Sequence, residues 1–103
     1  MKTVLTTLAA LSAAASIASA EPAGYAPFSV DAPHHDRGMI GAIWYPSMGD
    51  GRAFAFADSA VFHGVTVVEE ATVQDGRHPV VLLSHGMGGN IRSLTWLATA
   101  LAE

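Results

Sequence analysis

The sequence predicts an α/β chain in which a strand buried on both faces runs into a glycine-rich turn and then into a covering helix. Three observations carry this. Val80-Val81-Leu82-Leu83 is an unbroken apolar run, the pattern of a parallel strand covered on both faces rather than the alternation of a half-exposed one. Ser84-His85-Gly86-Met87-Gly88-Gly89 follows it, and its glycines let the backbone turn tightly and approach a ligand closely. From Asn90, a residue suited to opening a helix, the apolar residues Ile91, Leu94, Leu97, Ala98 and Leu101 recur at helical spacing.

The remaining elements are read in order. Lys2 precedes an uncharged apolar stretch from Val4 to Ala18, and Ala18-Ser19-Ala20 stands before Glu21-Pro22. That arrangement predicts a secretory signal peptide over residues 1–20, cut between Ala20 and Glu21, and export to the periplasm or outside the cell. The stretch is too short and too rich in Ala, Ser and Thr for a stable membrane anchor. Glu21 to Pro27 reads as a flexible lead-in, and Phe28-Ser29-Val30 as a short extended segment. Met39 to Tyr45 is β-branched and aromatic towards its end and is stopped by Pro46, as expected of a strand leaving a sheet. Gly49-Asp50-Gly51 marks a loop, Phe54 to Phe62 is a packed excursion with aromatic anchors, and Val65 to Val73 is extended. Glu69-Glu70 interrupts that last run, which makes it a surface segment in this reading. Asp75 to Pro79 forms a turn. No internal repeat or low-complexity tract appears in residues 21–103.

Composition excludes several functions. A formal charge of -4 with only five Lys and Arg leaves no basic stripe to neutralise phosphates, so nucleic acid is not an expected partner. The absence of Cys removes disulfides, thiolate metal sites, Cys nucleophiles and a lipid-anchor Cys. His34-His35-Asp36 invites a metal reading, but adjacent His side chains diverge and no second ligand pair recurs at a suitable spacing, so a solvated loop is expected. Trp44 and Tyr45 are expected to pack in a core rather than stack on a ligand. Asp50, Asp58, Glu69, Glu70 and Asp75 are read as surface charge.

The glycine-rich turn is the candidate site. Exposed N–H groups there suit an anion, either a nucleotide phosphate or the oxyanion formed when an ester or amide is attacked. A P-loop requires a Lys that is absent, and Gly86-x-Gly88-Gly89-Asn90-Ile91 lacks the last glycine of a dinucleotide fingerprint. The oxyanion reading is left.

Leu82 to Gly89 resembles the strand and turn of α/β-hydrolases. The nearer likeness is to bacterial proteins described as predicted dienelactone hydrolases, relatives of platelet-activating-factor acetylhydrolase. It rests on Trp44-Tyr45-Pro46, then Val61-Phe62-His63-Gly64, then the Ser84-His85-Gly86 turn and a helix over Ser93 to Ala102, in that order. The resemblance implies the N-terminal part of an α/β-hydrolase fold, with the first strands, third strand, oxyanion turn and first helix only. Residues 21–103 would then be an incomplete portion of that domain. It also implies that Val80–Leu83 has no sheet partner within this chain, because the strands flanking it in such folds come later.

For the site, the resemblance makes Met87 the backbone N–H donor to the oxyanion, with Gly88 and Gly89 keeping the turn open. His85 and Gly86 shape the turn, and His85 is not the catalytic base. Ser84 is not the nucleophile, because Gly-x-Ser-x-Gly is absent from the chain. The implied activity is a serine-type hydrolase acting on a small-molecule carboxylic ester or lactone, without metal or organic cofactor. This chain lacks the Ser, Asp and His of the triad and is expected to be inactive alone. The alternative is a short non-catalytic binding module or a decayed gene fragment.

Overall fold

The structure, a computed structural model, describes residues 20–34 and 36–103. The predicted export signal lies outside the described residues apart from Ala20. Among the described residues the elements are β1 (Gly24–Val30), β2 (Met39–Tyr45), β3 (Arg52–Phe56), β4 (Val65–Glu69) and α1 (Thr95–Ala102). The strands form one mixed sheet in the order β2-β1-β4-β3. Strand β1 is antiparallel to β2 and parallel to β4, and β4 is antiparallel to β3.

This architecture overturns the expected fold class. The described residues are a small four-stranded mixed sheet with one short C-terminal helix, not the N-terminal part of an α/β-hydrolase with a helix directly after its oxyanion turn. Val80–Leu83 joins no strand, and Val80 and Leu82 are 89% and 94% exposed. An apolar run signals that a segment is fit for burial, whereas burial itself needs partners on both edges and layers on both faces. The other strands pair among themselves and provide none.

The helix also departs from expectation. It begins at Thr95, because Asn90 Oδ1 accepts the Arg92 N–H (2.8 Å) and Ser93 Oγ accepts the Asn90 N–H (3.0 Å). Such side-chain turns compete with helical hydrogen bonds and delay the start. Its buried face is Thr95, Ala98, Thr99 and Ala102, while Leu101 of the expected apolar stripe is exposed.

Strand β2 spans the residues expected of it. Strand β1 extends four residues further back than the sequence suggested, taking in Gly24 to Pro27. Pro27 is tolerated because β1 pairs with β4 only at Gly24 and Tyr25, so from Ala26 onward it has β2 alone as a neighbour. Strand β4 is a core strand, not a surface segment: Val67 and Val68 are fully buried. Glu69 closes the strand in an ion pair with Arg52 of β3, and Glu70 leaves it at φ 58°. The two acids mark the strand's end, not its exposure.

The core is an aromatic cluster on the sheet. The Tyr25 ring lies 5.2 Å from Trp44, 4.6 Å from Phe56 and 6.0 Å from Phe54, centroid to centroid. Burial, and then the nearby Glu69 charge, push the Tyr25 phenol above its ordinary pKa. Trp44 is therefore a packing residue, as expected. Among the described residues, the buried Trp44 Nε1 and Thr99 Oγ1 have no hydrogen-bond partner.

A second knot ties the β2–β3 loop to the segment after β4. Buried Ser47 donates to Pro22 O (2.6 Å) and accepts from Gly49 N (3.1 Å), while Gln74 Nε2 donates to Ser47 O (2.8 Å). Asp50 accepts from the Thr72 N–H and the Thr72 hydroxyl, both at 2.7 Å. These bonds favour the ionised carboxylate and lower the Asp50 pKa, the hydroxyl bond most. A carboxyl whose pKa is depressed by folding adds stability above its unfolded pKa, roughly 3.9, and loses it as pH falls through the lower folded value. Asp50→Asn is therefore expected to lower the melting temperature at pH 7 and to flatten its decline below about pH 4. Thermal melts of both proteins from pH 2.5 to 7 check this, and parallel curves would contradict it.

Candidate functional site

The glycine-rich turn is closed by a hydrogen bond from Gly89 N–H to Gly86 O at 3.0 Å. Gly88 has φ +79°, a conformation that a residue with a Cβ adopts only under strain. His85 folds back on the turn, with Nδ1 2.9 Å from Gly86 O, so in the tautomer protonated there it donates to that carbonyl. The Ser84 hydroxyl makes a long contact, 3.5 Å, to His85 O. A Cβ added at Gly86 or Gly88 would meet nothing within 4 Å, whereas at Gly89 it would press on His85. The turn is thus open outward and supported from within by His85.

Met87 stands at the tip and is fully exposed, and among the described residues its N–H donates to no protein acceptor. His85, Gly86, Met87, Gly88 and Gly89 are therefore together, as their adjacency dictates. No described serine hydroxyl hydrogen-bonds a histidine ring, and neither His85 nor Ser84 forms part of a nucleophile–base pair. Ala20 and Glu21, on either side of the expected cleavage point, are both exposed.

The acids expected at the surface are structural where they bond. Asp58 accepts the Gly64 N–H at 2.8 Å, Asp50 holds Thr72, and Glu69 pairs with Arg52. His34 and Asp36 are exposed, and among the described residues no group of His, Asp or Glu is arranged to hold a metal ion.

A feature that sequence reasoning missed is an open cavity of about 600 Å³ between the β3–β4 connection and the residues leading into α1. Phe62 and Trp96 supply apolar walls, and Ser59, Asn90, Arg92 and Ser93 supply polar ones. The sequence predicts Phe62 as a packing anchor and Asn90 to Ser93 as the start of a helix. Instead Phe62 is exposed and Asn90 to Ser93 form turns. No local signal in the sequence marks the cavity, because its two sides come from segments about 30 residues apart.

No protein-family model, no curated protein and no solved structure matches this chain.

Proposed function

We propose that this chain belongs to an exported serine-type hydrolase of carboxylic esters or lactones, in which it supplies one oxyanion donor, the Met87 N–H. Support comes from the order of three strings, Trp44-Tyr45-Pro46, Val61-Phe62-His63-Gly64 and Ser84 to Gly89. The observation that carries the reading furthest is the uncommitted Met87 N–H at the tip of a turn whose outward side is open. The four-stranded sheet is no part of the support.

In such a reaction a serine, deprotonated by a histidine that an acid orients, attacks the carbonyl carbon. The negative charge collecting on the carbonyl oxygen is held by two N–H groups, the alcohol leaves, and water releases the acid from the acyl-serine. Met87 would serve only the charge-holding step. The nucleophile, base, acid and second N–H would come from residues outside this sequence, and neither metal nor organic cofactor enters.

Translation of the encoding DNA past the codon for Glu103 tests the reading. A Gly-x-Ser-x-Gly segment followed by an Asp or Glu and a His is expected, and a stop codon there would refute it. In the longer enzyme, Met87→Pro deletes the N–H and is expected to lower kcat by about 100-fold with KM little changed, whereas Met87→Ala retains both. Equal kcat for the two variants would remove Met87 from the mechanism. Export predicts a mature protein that begins at Glu21, which N-terminal sequencing of secreted material checks. Recovery of intact Met1 would refute the signal.

A further inference from the structure

The hydrogen bonds around the cavity beside α1 leave its polar groups with one kind of function unspent. Ser59 Oγ accepts the N–H groups of Val61 (3.3 Å) and Phe62 (3.0 Å), so its own O–H is free to donate. Ser93 Oγ accepts the Asn90 N–H at 3.0 Å and likewise keeps its O–H. Asn90 spends its side-chain oxygen on the Arg92 N–H at 2.8 Å, which leaves its NH₂ group. Arg92 has donors only, and its guanidinium lies 5.8 Å from the Phe56 ring centroid. In Ser59, Ser93 and Asn90 the acceptors are bound to backbone and the donors are available, while His63 and Thr95, which also line the cavity, can donate as well as accept.

The charge balance points the same way. The chain carries -4, yet no Asp or Glu lines this cavity. Every acid of the sequence lies among the described residues, and none is within ion-pair distance of Arg92. Arg52, by contrast, is paired with Glu69. An unpaired guanidinium, two hydroxyls and an amide NH₂ call for an anion, and the exposed Phe62 and Trp96 rings call for an apolar body on it. One guanidinium matches a single negative charge, and its planar fork matches the two oxygens of a carboxylate.

We propose that this cavity is a binding site for a small aromatic carboxylate, with Arg92 as the charged anchor and Phe62 and Trp96 as the flanking surfaces. The inference does not rest on the hydrolase reading, which concerns the turn at Met87. Fluorine NMR of the full chain with para-fluorobenzoate, para-fluorobenzamide and inorganic phosphate competitor tests it, with the near-UV circular dichroism of the aromatic cluster showing that the sheet is formed. The benzoate is expected to shift and broaden saturably and the neutral benzamide not to. Arg92→Met is expected to weaken benzoate binding about tenfold or more, and Arg92→Lys to restore part of it. Equal binding of benzoate and benzamide, unchanged binding by Arg92→Met, or stronger competition by phosphate than by unlabelled benzoate would overturn the assignment. A chain without near-UV aromatic signal lacks the cavity and overturns it as well.

Discussion

Tyr25→Ala is expected to abolish the fold. Tyr25 is 5% exposed and its ring meets Trp44 of β2 and both Phe54 and Phe56 of β3, so one side chain joins strands on both sides of the sheet's centre. Truncating a buried aromatic costs about 3–5 kcal/mol, through lost burial and the cavity left behind. A core built on one four-stranded sheet and one short helix is that of a small scaffold, which rarely supplies more than about 3–5 kcal/mol. The other buried apolar side chains among the described residues are alanines and the valines Val67 and Val68, which are small and do not refill the space. Loss of near-UV circular dichroism and of a cooperative melt at 25 °C is the expected result. Tyr25→Phe keeps the ring and is expected to keep the fold, since no hydrogen bond from the Tyr25 hydroxyl anchors it. Survival of a cooperative melt in Tyr25→Ala within a few degrees of the parent would show that the cluster is not the core.

How far the sequence disclosed this structure depended on whether a signal was local or needed a distant partner. Met39 to Tyr45 was legible because strand composition and Pro46 act on the segment itself. Strand β3 was legible in principle, since Arg52-Ala53-Phe54-Ala55-Phe56 alternates with period two, but the alternation is only five residues long and starts directly after Gly49-Asp50-Gly51. Glu69-Glu70 points to a surface segment only when the acids are taken as part of the run, whereas Glu69 is held by a residue 17 positions earlier. Val80–Leu83 carries a signal of fitness for burial, but its burial depends wholly on partners that the described strands do not offer, and it stands unpaired and exposed, as the lack of a sheet partner within this chain implies. At the candidate turn, the glycine placement and the contact of His85 with Gly86 O lie within a few residues of one another and so are local features. The cavity beside α1 is not local, because Ser59 and Phe62 meet Arg92 and Trp96 only after the chain has folded.

Limited proteolysis is expected to cut first at Arg77 and only slowly at Arg52, although both are exposed arginines. A protease needs several residues of extended, unpaired backbone. Residues 77–84 already offer unpaired backbone, since they belong to no strand, helix or turn. At Arg52 the backbone is paired with Glu69, and freeing it means separating β3 from β4 along the whole ladder from Arg52–Glu69 to Phe56–Val65. That opening approaches global unfolding, so cleavage there follows the small population of the unfolded chain, while cleavage at Arg77 needs no opening. An opening free energy of about 3 kcal/mol separates the two rates by more than about 100-fold. Chymotrypsin is expected to favour Leu82 and Leu83 over Phe54 for the same reason. After the first cut α1 is held to the sheet mainly by Ala98, Ala102 and the two threonines, one of which has an unpartnered hydroxyl, so the C-terminal piece is expected to dissociate. Mass spectrometry of a digestion time course reads all of this. Protection of Arg77, Leu82 and Leu83 equal to that of Arg52 would mean that Val80–Leu83 is paired in solution, and would overturn its placement outside the sheet.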